Sequence, residues 1–242
     1  EEFQAANRGI RIGVSASGTG GGFKKFCSGD TDVTGASRPI KPNEAKKCAE
    51  AGIEFVELPV AFDGIALVIN PQNDWAKTLT VAELKKIWEP GSKIDNWSQV
   101  REGFPDVELK LYGPGPDSGT FDYFTKAING KEKATRQNYT ASESDNVLVM
   151  GVAGNKGALG YFGLAYYEEN KSRLGIAGVA LEAGKKGIVP NQETVAAGTY
   201  KPLSRPIFIY VSKPALKKPV VAKFAEFYVK NVGELAPQVG YV

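Results

Sequence analysis

The chain has no histidine, two cysteines and one methionine in 242 residues. Histidine is the usual general base near neutral pH and the commonest transition-metal ligand, so its absence excludes Ser-His-Asp catalysis and most zinc sites. Two thiols cannot build a cysteine cluster either, and no metal or cofactor is expected. Cys27 and Cys48 leave two states open, a single disulfide or a pair of buried thiols. The disulfide, which suits an exported protein, is the expectation. Long apolar runs are also missing: GIALVI and IFIYV fall far short of the roughly 20 residues a membrane-spanning helix requires, so a soluble chain is expected. Excess charge is scarce. Lys and Arg number 30 against 27 Asp and Glu, and the basic residues are scattered. A net +3 does not argue for nucleic acid, although it mildly favours the approach of a small anion.

What is present is an ordinary globular composition, 42% apolar and 24% charged, with a recurring order of elements. Ile10, Ile12 and Val14 alternate in IRIGV and predict a strand; Phe23, Phe26 and Cys27 then recur at helical spacing, with SGTGGG between them. The order repeats where Val107, Leu109 and Leu111 alternate in VELKLY, followed by GPGPDSGT and by Phe121, Phe124 and Ile128 at helical spacing. Thr80 with Glu83 reads as a capping box ahead of Leu84, Ile87 and Trp88, and Val220, Phe224 and Phe227 form a stripe after Pro219. The continuous runs GIALVIN and RPIFIYVS predict strands buried on both faces, as in parallel sheets covered by helices. The class is α/β. Two long extended stretches, near residues 65 and 206, are expected to cross between lobes, with residues 1–65 and 206–242 forming lobe I and 66–205 lobe II.

A glycine loop feeding a helix start presents N–H groups without intrahelical partners at the positive end of the helix dipole, which cradles an anion. Glycine permits close approach and positive φ, while Ser17, Thr19, Ser118 and Thr120 add hydroxyl donors. Either loop alone could equally be a flexible turn or a helix cap; the pairing of two such loops favours the anion site. The nucleotide patterns are not met, since Phe23 stands where a third glycine belongs after Gly18 and Gly20, and no Gly-Lys pair precedes Ser or Thr. G-x-S-x-G is absent as well. An anion held without chemistry is expected.

SGTGGGFKKFCSGDTDVTGASRPI and GPGPDSGTFDYF resemble the periplasmic phosphate-binding proteins that serve phosphate-specific ABC transporters. The resemblance continues in the family's order through VAFDGIALVINPQN, LTVAELKKIWEPGSKIDNWSQV, GALGYFGLAYY and SRPIFIYVSK, and so covers essentially the whole chain. It implies the two-lobe periplasmic-binding-protein fold of the type II kind, with two hinge crossings, one phosphate held between the lobes, and delivery to a permease. A monomer outside the inner membrane is implied. By the same resemblance Thr19 and Gly20, with Ser17 nearby, hold phosphate from one lobe, and Ser118, Gly119 and Thr120 from the other. Arg38 stands where some members have aspartate, and Pro114 roughly where those members have their phosphate-binding arginine. Other branches carry Ser-Arg at the first position, so Arg38 is assigned as a bidentate phosphate ligand, against the alternative of a rim salt bridge.

Phosphate keeps a proton near neutral pH and sulfate does not, so a carboxylate acceptor separates them. Asp63, at the first crossing, is assigned that role, with Asp145 the alternative. The chain departs from the family at both ends: it opens where the family's first helix finishes, without the first strand and phosphate loop, and stops before a last helix. This piece alone is expected to bind weakly. Two other classes compete with transport binding: a phosphatase using Ser or Thr as nucleophile, and a signalling or adhesive relative without ligand.

Overall fold

The computed structural model describes residues 2–15, 18–239 and 241–242. Helix α1 (Glu2–Ala6) buries Phe3. The strand expected over residues 10–14 does not form. The Ile12 N–H donates to Gln4 Oε1 at 2.7 Å, and Val14 is 90% exposed. Alternation makes a two-sided segment, but a strand also needs an edge to bond with, and none of the described strands pairs with this one.

Helix α2 (Thr19–Cys27) buries Phe23, Phe26 and Cys27 at the anticipated spacing. Strand β1 (Val33–Ala36), helix α3 (Pro42–Glu50), the long strand β2 (Phe55–Ile69), β3 (Thr78–Thr80) and α4 (Val81–Trp88) follow. Helix α4 starts with the expected box: the Glu83 N–H donates to Thr80 Oγ1 at 3.1 Å, and the Thr80 N–H donates to Glu83 Oε2 at 2.8 Å. Strand β4 (Lys110–Gly113) starts later than the alternation from Val107 suggests, and Glu108 instead forms an isolated bridge with Asn96. Helix α5 (Gly119–Asn129) ends at Gly130, whose φ of 84° is the left-handed conformation that glycine accepts most easily. Next come β5 (Thr140–Ala141), α6 (Asp145–Ala153), β6 (Ala158–Gly163), α7 (Leu164–Asn170), β7 (Gly175–Ala180) and α8 (Gln192–Ala196). Strand β8 (Ser204–Ser212) and helix α9 (Pro219–Gln238) complete the order.

The chain divides into two compact units, residues 1–62 with 205–241, and residues 63–204 with Val242. In the first unit β8 lies between β1 and β2 and runs antiparallel to β1, with Thr34 opposite Tyr210. Successive side chains of β8 serve different cores. Phe208 and Tyr210 pack with Phe23, Phe26, Cys27 and Cys48, whereas Ile209 and Val211 pack with Ala215 and Val221. Helices cover both faces, so the run IFIYV is continuous rather than alternating. The Cys27–Cys48 disulfide joins α2 to α3.

In the second unit Ile65, Ala66, Leu67, Val68 and Ile69 are each 0% exposed, and this half of β2 pairs antiparallel with β6 and β7. Strand β4 pairs parallel with β5 and β6, and β3 parallel with β7. The parallel arrangement expected for the two continuous runs is therefore corrected: both lie in antiparallel pairs within a mixed architecture. Burial on both faces removes the alternation whichever way a neighbour runs. Phe124 stacks on Tyr161 at 3.7 Å, and Trp88 meets Tyr161 edge-on at 5.1 Å, beneath α4 and α5. No helix among the described residues is long and apolar enough to cross a membrane.

Candidate functional site

The first unit gathers polar groups at the start of α2. Gly18 is the N-cap and no side chain caps this helix, so its leading N–H groups stay directed at the end of the dipole. Thr19 Oγ1 accepts from the Ser37 N–H at 3.2 Å and lies 3.1 Å from Ser37 Oγ. Arg205 Nη1, from the first turn of chain in β8, donates to Ser37 Oγ at 3.2 Å. The hydroxyl pair holds two hydrogens and its mutual bond uses one. The other remains to be donated outward, and acceptance from Arg205 and from the Ser37 N–H polarises both hydroxyls toward donation.

Glycine is used here for closeness rather than for φ. Gly18, Gly20 and Gly22 all lie outside the left-handed region, which corrects the expectation of positive φ in this loop. Gly22 lets α2 press against β1, since a Cβ there would stand 2.6 Å from Thr34 Oγ1. Ser17 lies outside the described residues.

Arg38 follows Ser37 directly but its fork is engaged. Nη1 and Nη2 each donate to Glu44 at 2.8 Å, and the guanidinium carbon lies 5.4 Å from the centre of the Phe23 ring. Glu44 also receives the Lys41 N–H at 2.8 Å, at the start of α3. The Arg38 hydrogen bonds hold the Glu44 carboxyl below its usual range, against a smaller upward effect of burial. Arg38 Nη2 is still close to the α2 start, 4.0 Å from where a Cβ on Gly20 would be.

The second unit carries the matching loop. Ser118 is the N-cap of α5, and its Oγ accepts from the Thr120 N–H at 3.2 Å and the Phe121 N–H at 3.4 Å. Capping uses its lone pairs and leaves the hydroxyl hydrogen to donate. Gly119 is exposed and Thr120 half-buried. Glu143 packs against this loop: its Oε1 accepts from the Asp117 N–H at 3.4 Å and lies where a side chain on Gly115 would collide, 2.0 Å from its Cβ position. Asp145 opens α6 nearby, and burial, then the charge of Glu143, raise its pKa above the ordinary aspartate value. Asp63, in β2, is buried at 8% exposure. Reading by motif missed Ser37, Arg205 and Glu143. Ser37 and Arg205 both stand inside stretches that carried the resemblance, GASR and SRPIFIYV, and Arg205 lies beside the second crossing as Asp63 lies beside the first.

Two cavities adjoin the first unit. One of about 450 Å³ touches Gly20 and is lined by Lys24, Asn43, Glu44 and Lys47. The other, about 500 Å³, is walled mainly by apolar residues such as Phe3, Ile12, Val60 and Phe224 and offers no cation, which makes it unsuitable for an anion.

A family model described as the PBP superfamily domain matches residues 1–232. The chain is 49% identical over 244 residues to the Protein SphX of Synechococcus elongatus, covering 100% of this chain and 72% of that protein. It is 37% identical over 245 residues to the Phosphate-binding protein PstS of Staphylococcus saprophyticus, covering 100% of this chain and 74% of that protein. A crystal structure of a possible phosphate binding protein from Planctomyces limnophilus matches with a TM-score of 0.90 at 50% identity, over 100% of this chain and 85% of that one. An ABC-type phosphate transport receptor from Vibrio cholerae matches at TM-score 0.79 and 20% identity, over 100% of this chain and 91% of that one, a likeness of fold alone. Matched in this way along its whole length, the chain belongs to the PBP superfamily and, within it, to the PstS family of phosphate-binding proteins.

Proposed function

We propose that the chain binds inorganic phosphate and delivers it to an ABC permease for uptake. It acts outside the inner membrane, as a monomer, without a cofactor, nucleic acid or catalysis. The ligands are Thr19 and Gly20 with Ser17, the charge of Arg38 beside Gly20, the loop Ser118, Gly119 and Thr120, and Asp63 as the acceptor of the phosphate proton. The observation that carries this reading is the start of α2, where an uncapped helix end, a polarised hydroxyl pair and a guanidinium are assembled. All of these donate, which suits an anion whose oxygens accept. The name of the PstS relative, which is that of a phosphate-binding protein, supports the choice of anion.

About six to eight charge-assisted hydrogen bonds at about 1.5–3 kcal/mol each amount to on the order of 10–20 kcal/mol gross. Association costs about 4–15 kcal/mol, and micromolar affinity needs about 8, so an anion can be held at micromolar level without a metal. Calorimetric titration of the purified protein with phosphate and with sulfate tests this. Heat from phosphate and much less from sulfate is expected. Absence of phosphate binding, together with turnover of an aryl phosphate, would establish an enzyme instead.

A further inference from the structure

We propose that Arg205 is the guanidinium that reads the phosphate, with Ser37 positioning it; this deepens the phosphate-binding reading and rests on it. Sequence motifs point to Arg38, the arginine next to the family's Gly-Ala-Ser. Yet both terminal nitrogens of Arg38 are committed to Glu44 at 2.8 Å, in a pair that also fixes the start of α3 through the Lys41 N–H. A carboxylate so close offsets most of the attraction this guanidinium would offer an anion, and exchanging Glu44 for phosphate would break three hydrogen bonds.

Arg205 is placed differently. It enters from β8, 168 residues away in sequence from Ser37, and donates one N–H to Ser37 Oγ at 3.2 Å. Ser37 in turn bonds Thr19, the first residue of α2. The guanidinium is thus one hydroxyl removed from an uncapped positive helix end, and its planar fork has further N–H groups beyond the one given to Ser37. Two positive features that approach each other in this way repel unless an anion lies beside both. The Ser37 bond fixes the plane of the fork, so less side-chain entropy is lost when phosphate is taken up.

The test is calorimetric titration with inorganic phosphate of the unaltered protein and of Arg205→Ala, Arg205→Lys, Arg38→Ala and Ser37→Ala, with thermal unfolding of each as the folding control. Loss of a charge-assisted contact predicts about 10- to 100-fold weaker binding for Arg205→Ala, and a smaller loss for Arg38→Ala. Arg205→Lys recovers only part, because an ammonium keeps the charge and loses the fork. Ser37→Ala weakens binding several-fold by releasing the guanidinium, and it decides the matter together with Arg205→Lys if Arg205→Ala does not fold. Binding by Arg205→Ala, or by both Ser37→Ala and Arg205→Lys, within about twofold of the unaltered protein would overturn the assignment and leave phosphate binding intact. An unaltered protein that takes up no phosphate would instead overturn the functional reading, and the role of Arg205 with it.

Discussion

A methyl group on Gly22 would meet Thr34 Oγ1 at 2.6 Å, while the same methyl would improve the helix propensity of α2 by about 1 kcal/mol. Overpacking of this kind costs about 1–3 kcal/mol, so the clash wins. Gly22→Ala is expected to destabilise the protein by about 1 kcal/mol in urea titration and to weaken phosphate binding, because α2 carries Thr19 and Gly20 at its start. The acids divide by environment. Asp145 holds its proton more tightly than usual through burial and the neighbouring Glu143, which makes it a poorer acceptor as pH falls. Asp63 is buried and has no such carboxylate assigned against it. Asp63→Asn should therefore narrow the preference for phosphate over sulfate by about tenfold in paired titrations, the loss of one hydrogen bond to a charged group. A change confined to Asp145→Asn would move the acceptor role there.

Helices whose signals lie within a turn or two of chain were legible in advance: the Thr80 and Glu83 box of α4, the apolar spacing of α5, and α9 after Pro219. The disulfide was the favoured of two possibilities, and it staples α2 to α3 across 21 residues. Closing a loop of that size stabilises by about 3 kcal/mol. Cys48 is fully buried and Cys27 nearly so, so a reductant acts only on the opened structure. A reducing agent should lower the melting temperature of the protein and leave a Cys27→Ala, Cys48→Ala variant unaffected; equal melting of all three samples would remove the stabilising role. The strand expected at residues 10–14 fails for the complementary reason, because Ile12 and Val14 alternate correctly but lack a bonding edge among the described strands.

Stability against acid joins both units. Glu44 is held below the ordinary value of 4.5 by hydrogen bonds from Arg38. At Glu83 burial pushes upward, but the bonds from Arg101 and Thr80 outweigh it and the carboxyl is again lowered. Each folded carboxylate binds its proton more weakly than the unfolded chain does, so this stabilisation is present above pH 4.5 and is lost as pH falls through the folded values. The urea midpoint should be nearly flat from neutrality to about pH 5 and fall below it. A Glu44→Gln, Glu83→Gln variant should start less stable and show a shallower fall; an unchanged slope would mean that other acids govern it.

Local order determined the α/β class, the helix starts, the two loops and their hydroxyls, because a cap or a face repeats within one turn or one pleat. Strand direction, the Arg38–Glu44 pair and the Ser37–Arg205 bond came from the fold. IFIYV reads the same in a parallel or an antiparallel neighbourhood, and nothing near Ser37 announces a guanidinium 168 residues later. Those contacts exist only once burial and strand pairing have brought distant chain together.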